Sequence, residues 1–145
     1  MLLSAAVAGL SAVVTVQNVA SWYATLAKPP FNPPNWLFGP VWTLLYIVMA
    51  IVAWRVWLSR RRQPVALALT AYGVQLLLNF AWSPLFFGLH RIGAALADII
   101  ALALVLAATV ALFWRRDRLA GALMAPYLLW VLFAATLNFA IWRLN

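Results

Sequence analysis

The chain contains no cysteine, only two acidic residues and a single histidine in 145 positions. Without thiols, disulfides and thiolate metal sites are excluded, and His90 alone cannot assemble an imidazole cluster or the usual acid–base dyad. No metal site is expected. A Gly-rich phosphate loop and a GxSxG elbow are also missing. Charge of either sign is scarce at 8%, and nearly all of it is positive, giving a net +8. The remainder is apolar: 68% of residues are hydrophobic and the mean hydropathy is +0.98, far outside the range of a soluble domain. The chain reads as an integral membrane protein.

A length of 145 residues, cut into spans of about 20 apolar residues, leaves room for roughly five helices. The expected fold is therefore an all-α five-transmembrane-helix bundle in one domain over residues 1–145, with spans near 2–20, 39–58, 65–87, 92–114 and 119–142. The uncharged run 2–20 lacks a basic n-region and is too long for a signal-peptide core, so it is taken as a first span. Within it Ser4, Ala8 and Ala12, or Ala5 and Gly9, recur at four-residue spacing and would admit a close helix neighbour. Arg60, Arg61 and Arg62 end the second span, and Pro64 suits the first turn of the third.

The cations are distributed unevenly. Arg55, Arg60, Arg61, Arg62, Arg115, Arg116 and Arg118 fall on the side of the N-terminus, against Lys28, Arg91 and Arg143 on the other. Seven against three places the N-terminus in the cytoplasm and favours a bacterial inner membrane, with an outer membrane as the alternative. Because the arginines sit beside apolar runs, topology accounts for the +8, and nucleic-acid binding is not expected.

Between the first two runs lies a stiff connector, 22–40, containing "LAKPPFNPPNWLFGP". Pro29, Pro30, Pro33, Pro34 and Pro40 push their predecessors toward extended geometry, so the segment is expected to be a semi-rigid strap. Its Trp22, Tyr23, Phe31, Trp36 and Phe38 would lie either on the membrane interface as an aromatic belt or over a cavity as a lid.

"WYATLAKPPFNPPNWLFGPVWTLLYIVMA", followed in order by "LNFAWSPLFFG", "ALADIIALAL", "APYLLW" and "FAATLNFAIWRLN", resembles the translocator protein family, also called tryptophan-rich sensory proteins or peripheral-type benzodiazepine receptors. The resemblance covers essentially the whole chain. It implies a five-helix bundle, usually a homodimer, that binds tetrapyrroles such as protoporphyrin IX or haem-like porphyrins, and in eukaryotes sterols and benzodiazepine-type drugs. The tetrapyrrole is a ligand and not an obligatory cofactor. By resemblance the ligand-binding residues are Trp36, Phe38, Trp42, Phe86, Trp130, Ala134 and Phe139.

Helical spacing is compatible with that pocket, since Trp42, Tyr46, Met49 and Ala53 share one face, as do Trp130, Ala134, Leu137 and Ile141. Stacked indoles with Lys28 or Arg143 near the water would suit a flat ring bearing carboxylates. The intramembrane polar residues are Asn79, in line with Gln75 and Ser83, then Asp98 and Asn138. Asp98 facing lipid would cost about 3 kcal/mol or more, so it needs a partner or an interfacial position. Pro84 and Pro126 should bend their helices or free a carbonyl.

Three features depart from the family pattern. Phe139 stands where members linked to light-dependent porphyrin breakdown have tryptophan, the sterol-recognition pattern is reduced to Leu137, Phe139 and Arg143, and a helical glycine pair reads Thr70 and Val74, which alters the expected dimer contact. No catalytic residue is assigned, except Trp42 should photo-oxidation occur. The leading expectation is a tetrapyrrole receptor or sensor, possible carriage of its ligand included. The alternatives are a light- and oxygen-dependent porphyrin-degrading enzyme and a small proton-coupled exporter using Asp98.

Overall fold

The computed structural model describes residues 22–61 and 64–145, together with Ala6, Gly9, Leu10 and Val13. The remainder of the expected span 2–20, its stripe of Ser4, Ala8 and Ala12, and Arg62 lie outside the described residues. Four helices follow the strap: α1 (Asn35–Leu58), α2 (Ala66–Ser83), α3 (Ile92–Arg116) and α4 (Arg118–Leu144). All four are long and apolar enough to cross a membrane, and the described residues contain no strand. The protein is an integral multi-pass membrane protein.

Helix α1 begins at Asn35, four residues before the expected start at 39. Pro34, in polyproline geometry with φ −57° and ψ 143°, precedes the first turn. Pro40 sits inside the helix and forgoes only the single hydrogen bond that its nitrogen cannot donate. At its far end α1 tightens into a 3-10 turn at Ser59–Arg61. Pro84 converts the end of α2 into a π-helical turn, Pro84–Gly88, in which the Leu89 N–H donates to the Pro84 carbonyl at 2.7 Å. His90, at φ 56°, takes the left-handed conformation that ends this turn.

Only Asp117 separates α3 from α4. Its carboxylate caps α4, with Oδ1 accepting from the Leu119 and Ala120 amides at 3.0 and 3.4 Å, while Oδ2 accepts from Arg55 Nε at 2.9 Å. One side chain therefore ties the end of α1 to the α3–α4 corner. The Arg55 guanidinium holds the Asp117 carboxyl below the usual carboxylate range. Helix α4 packs most extensively on α3, α3 also carries α2, and α1 packs on α4.

On α3 the buried positions are Ala95, Ile99, Leu102, Leu106, Thr109 and Phe113. Their alternating spacing of four and three is the pattern of left-handed helix packing. Large apolar residues such as Leu77 and Leu104, 65% and 70% exposed, point outward, while Gln75, Asn79, Ser83, Thr109 and Asn138 are buried. Apolar outside and polar inside is the arrangement that lipid as a solvent demands.

Where α4 leaves the corner, Gly121 allows its backbone to meet that of Trp114: a Cβ at 121 would lie 2.7 Å from Trp114 Cα and 2.8 Å from its N and Cβ. Gly121→Ala is expected to cost about 1–3 kcal/mol by overpacking, seen as a lower melting temperature in detergent. Gly73→Ala, with nothing within 4 Å of its Cβ, should be neutral or slightly stabilising by helix propensity. Equal melting temperatures for the two variants would contradict the close α3–α4 crossing.

Asp117 generates a pH test. A carboxyl held low in the folded state stabilises it above the unfolded value of about 3.9, and that contribution is lost as pH falls through the folded value. Asp117→Asn, which keeps a capping acceptor but not the charge, should melt below the parent at pH 7. The gap should close as pH drops below about 3.9.

Candidate functional site

The strap crosses the end of the bundle opposite the arginine turns. After a helical turn at Trp22–Thr25, its course is fixed by hydrogen bonds within itself and to α4. The Tyr23 hydroxyl donates to Asn32 Oδ1 at 2.7 Å, and Lys28 Nζ donates to the Tyr23 and Leu26 carbonyls at 2.9 and 3.1 Å. The same ammonium lies 4.9 Å from the Tyr23 ring centroid. Lys28 thus commits two of its three donors to holding the strap. Burial pushes the Tyr23 phenol up to about 12, the Asn32 contact offsetting part of the shift. The hydroxyl therefore stays protonated throughout the physiological range.

At the end of α4, Asn145 grips the strap backbone in both directions. Its Oδ1 accepts from the Ala27 amide at 3.2 Å and its Nδ2 donates to the Ala27 carbonyl at 2.9 Å. This clamp joins positions 118 residues apart.

Two aromatic groups lie beneath. The first gathers Trp22, Tyr23, Trp82, Phe86 and Phe87: Trp82 stacks on Phe86 at 5.0 Å and 19°, Phe86 meets Phe87 edge-on at 4.9 Å, and Tyr23 lies 6.1 Å from Phe86. The second gathers Phe38, Trp42, Trp130 and Phe133. Trp42 and Trp130 meet edge to face at 6.5 Å and 86°, Phe38 meets Trp130 at 6.1 Å, and Phe133 lies 5.5 Å from Trp130. Phe31, on the strap, reaches Phe133 at 6.3 Å. Such edge-to-face pairs fix ring planes, so the second group is a box of set orientation.

Under the box runs a buried polar network. The Tyr46 hydroxyl donates to Asn79 Oδ1, Asn79 Nδ2 donates to the Tyr127 hydroxyl at 2.6 Å, and that hydroxyl donates to Gln75 Oε1 at 2.9 Å. Trp42 rests on the rings of both Tyr46 and Tyr127, at 5.9 and 6.3 Å. Asn138 pins a second point, accepting from Trp82 Nε1 at 3.0 Å and donating to the Ile92 carbonyl at 3.1 Å. Two buried side-chain atoms among the described residues have no hydrogen-bond partner: Trp130 Nε1, within the box, and Asp98 Oδ2 on α3. No group of three His, Asp or Glu side chains gathers among the described residues.

Of the residues taken from the resemblance, Phe38, Trp42 and Trp130 come together, and Ala134 lies half-buried against the same core, one turn beyond Trp130. Phe86 belongs to the neighbouring aromatic group. Trp36 is 72% exposed, and Phe139 is 47% exposed on the outer side of α4, touching Trp142 at 6.1 Å. The structure does not bring these two to the others. Asn79 and Asn138 carry interhelical bonds. Trp82, Tyr127 and Phe133 were missed, though Trp82 lies three residues after Asn79, and Tyr127 and Phe133 three to either side of Trp130, spacings that place each on a shared helix face.

Strap, aromatic box and buried polar floor define a multi-pass helical membrane protein with its most organised chemistry at one end of the bundle. Over residues 1–143 the chain matches the TspO/MBR family. It is 47% identical over 131 residues to the tryptophan-rich protein TspO of Archaeoglobus fulgidus, covering 90% of this chain and 84% of that one. It is 44% identical over 126 residues to the protein CrtK of Rhodobacter capsulatus, covering 86% and 79%. Against the translocator protein of Homo sapiens it is 41% identical over 126 residues, covering 86% and 75%. The chain belongs to the TspO/MBR family.

The network predicts a stability effect of its own. Asn79→Leu would remove the group that accepts from Tyr46 and donates to Tyr127, leaving buried hydroxyls short of partners at a cost of about 1–3 kcal/mol. Thermal unfolding in detergent would show the loss, and Leu77→Asn on the exposed face of the same helix should not mimic it. A parental melting temperature for Asn79→Leu would mean that the hydroxyls find other partners.

Proposed function

We propose that this protein is a membrane receptor for flat hydrophobic ligands of the tetrapyrrole class, protoporphyrin IX among them, held between the strap and the box of Phe38, Trp42 and Trp130. The observation that carries the reading is the buried Trp130 indole N–H, which has no hydrogen-bond partner among the described residues. Buried donors are normally paired, and a ligand acceptor entering between the rings would satisfy this one. Aromatic walls supply stacking area, and the small side chain of Ala134 leaves space for a flat ring. Sterols and benzodiazepine-type drugs fit the same description as apolar ligands with few acceptors.

In this reading residues 2–20 complete a five-helix bundle, the seven arginines keep the N-terminus in the cytoplasm of an inner membrane, and two copies pair through the exposed face of α2 that carries Thr70, Gly73 and Val74. Turnover is not required for such a receptor. A second reading has its own observation, because the unpartnered Asp98 Oδ2 is a group that could exchange a proton during ligand movement. Proton-dependent porphyrin uptake into vesicles, abolished in Asp98→Asn, would favour it over binding alone.

The test of the main reading is a titration of the purified protein with protoporphyrin IX, read by quenching of tryptophan fluorescence. Trp130→Phe, which keeps much of the ring but loses the N–H, should weaken binding by about 1 kcal/mol, roughly fivefold. Trp42→Ala should lose about tenfold to a hundredfold through stacking, and Ala134→Leu should also bind less tightly while melting like the parent. Parental affinity in all three variants would remove the box from ligand binding.

A further inference from the structure

At the strap end of α3 and α4, outside the aromatic box, lies an open cavity of about 510 Å³ lined by His90, Ile92, Gly93, Trp142, Arg143 and Asn145. We infer that this cavity is a phosphate-ester site that holds the headgroup of an anionic phospholipid at the membrane surface.

Its chemistry is that of a donor-bearing pocket in which no lining side chain is acidic. Arg143, in the last turn of α4, forms no ion pair or hydrogen bond among the described residues, and its planar guanidinium suits a phosphate in two-pronged fashion. The two acids of the chain lie elsewhere. Asp117 is at the opposite end of the bundle, and Asp98 is six residues after Ile92, roughly 9 Å deeper along α3. Trp142 adds an indole N–H. A Cβ on Gly93 would lie only 3.2 Å from Trp142 Nε1, so the glycine lets the indole edge rest against α3 at the rim. Asn145 is committed to Ala27, and His90 is stacked on Trp22 at 4.1 Å and 9°. Both therefore act as fixed walls.

Volume and position select the occupant. The depression is open to the surface and larger than a free phosphate would fill. It opens where the spanning part of α4 ends, and one turn deeper the exposed Phe139 ring, 6.1 Å from Trp142, continues an apolar wall along which an acyl chain can lie. Arginine and tryptophan at a helix end are suited to the headgroup level. A zwitterionic choline lipid offers the same phosphate but brings a cation toward Arg143, so a net negative headgroup is preferred.

Native mass spectrometry of the full chain in detergent tests this with three probes: dioleoylphosphatidylglycerol, dioleoylphosphatidylcholine and soluble sn-glycerol 3-phosphate. The phosphatidylglycerol adduct should dominate. Arg143→Gln should weaken it on the order of tenfold and Trp142→Phe by a smaller factor, with melting temperatures unchanged, while Arg60→Gln at the other end should leave it as in the parent. Equal phosphatidylglycerol affinity in the parent, Arg143→Gln and Trp142→Phe would overturn the site. Equal affinity for phosphatidylglycerol and phosphatidylcholine would overturn the anionic preference, and glycerol 3-phosphate binding as tightly as phosphatidylglycerol would overturn the lipid as its source.

Discussion

In hydrocarbon a polar group has no water to fall back on, and that constraint governs where the polar side chains of this bundle lie. The spans can expose leucine on every outer face, but each Asn, Gln and Tyr inside must find a partner on another helix. Tyr46, Asn79, Tyr127 and Gln75 do so as one connected set, and it joins α1, α2 and α4 at a single level. Apolar contact between helices is weakly selective in lipid, because a lipid tail packs nearly as well against leucine as another leucine does. Directional bonds from the network therefore supply the register that hydrophobic packing cannot. Asn138 repeats the device nearer the strap, where it joins α4 to Trp82 and to the first turn of α3.

The strap depends on that register. Its clamp to Asn145 works only if α4 ends at the right height, and Tyr23 reaches Phe86 and Phe87 only if the π-helical turn after α2 turns them inward. Proline stiffness lowers the entropy lost in ordering the segment, while Lys28 satisfies two carbonyls that a continued helix would have satisfied itself and Asn32 accepts from the Tyr23 hydroxyl. An extended segment crowded with aromatics is thereby held over the helix ends without secondary structure of its own between Ala27 and Pro34.

Much of this was legible in the residues. Spans 39–58, 65–87, 92–114 and 119–142 correspond to α1 to α4 within a few residues, because long uninterrupted apolar runs have few other fates. The boundaries moved where proline or acid chemistry acted locally: Pro34 admitted a helix that the proline count argued against, and Asp117 allowed α3 and α4 to meet across one residue. Of the aromatic box, helical spacing and family resemblance together singled out Trp42 and Trp130, and the resemblance alone Phe38. Trp36 and Phe139 were not distinguishable from them, since a one-residue change in helix phase turns an aromatic by about 100° and exchanges cavity for lipid. The roles of Lys28 and Asn145 were hidden as well, because a clamp between residues 118 positions apart leaves no local pattern.

The distribution of unmet hydrogen bonds separates structure from recognition. Donors in the network below the box are matched within the protein, so a ligand could use them only by breaking bonds on which helix register rests. Trp130 Nε1 is different, since engaging it disrupts nothing. A site built this way would favour a ligand with broad apolar faces and one well-placed acceptor, whose charged groups, such as the carboxylates of a porphyrin, reach the water at the strap end and are not buried between the walls. Charge would contribute little inside the box, because Lys28 is engaged by the strap and Arg143 lines the separate cavity at the membrane surface. In the proposed receptor, selectivity would then come from ring orientation and a single N–H, with the strap lying across the path of the ligand.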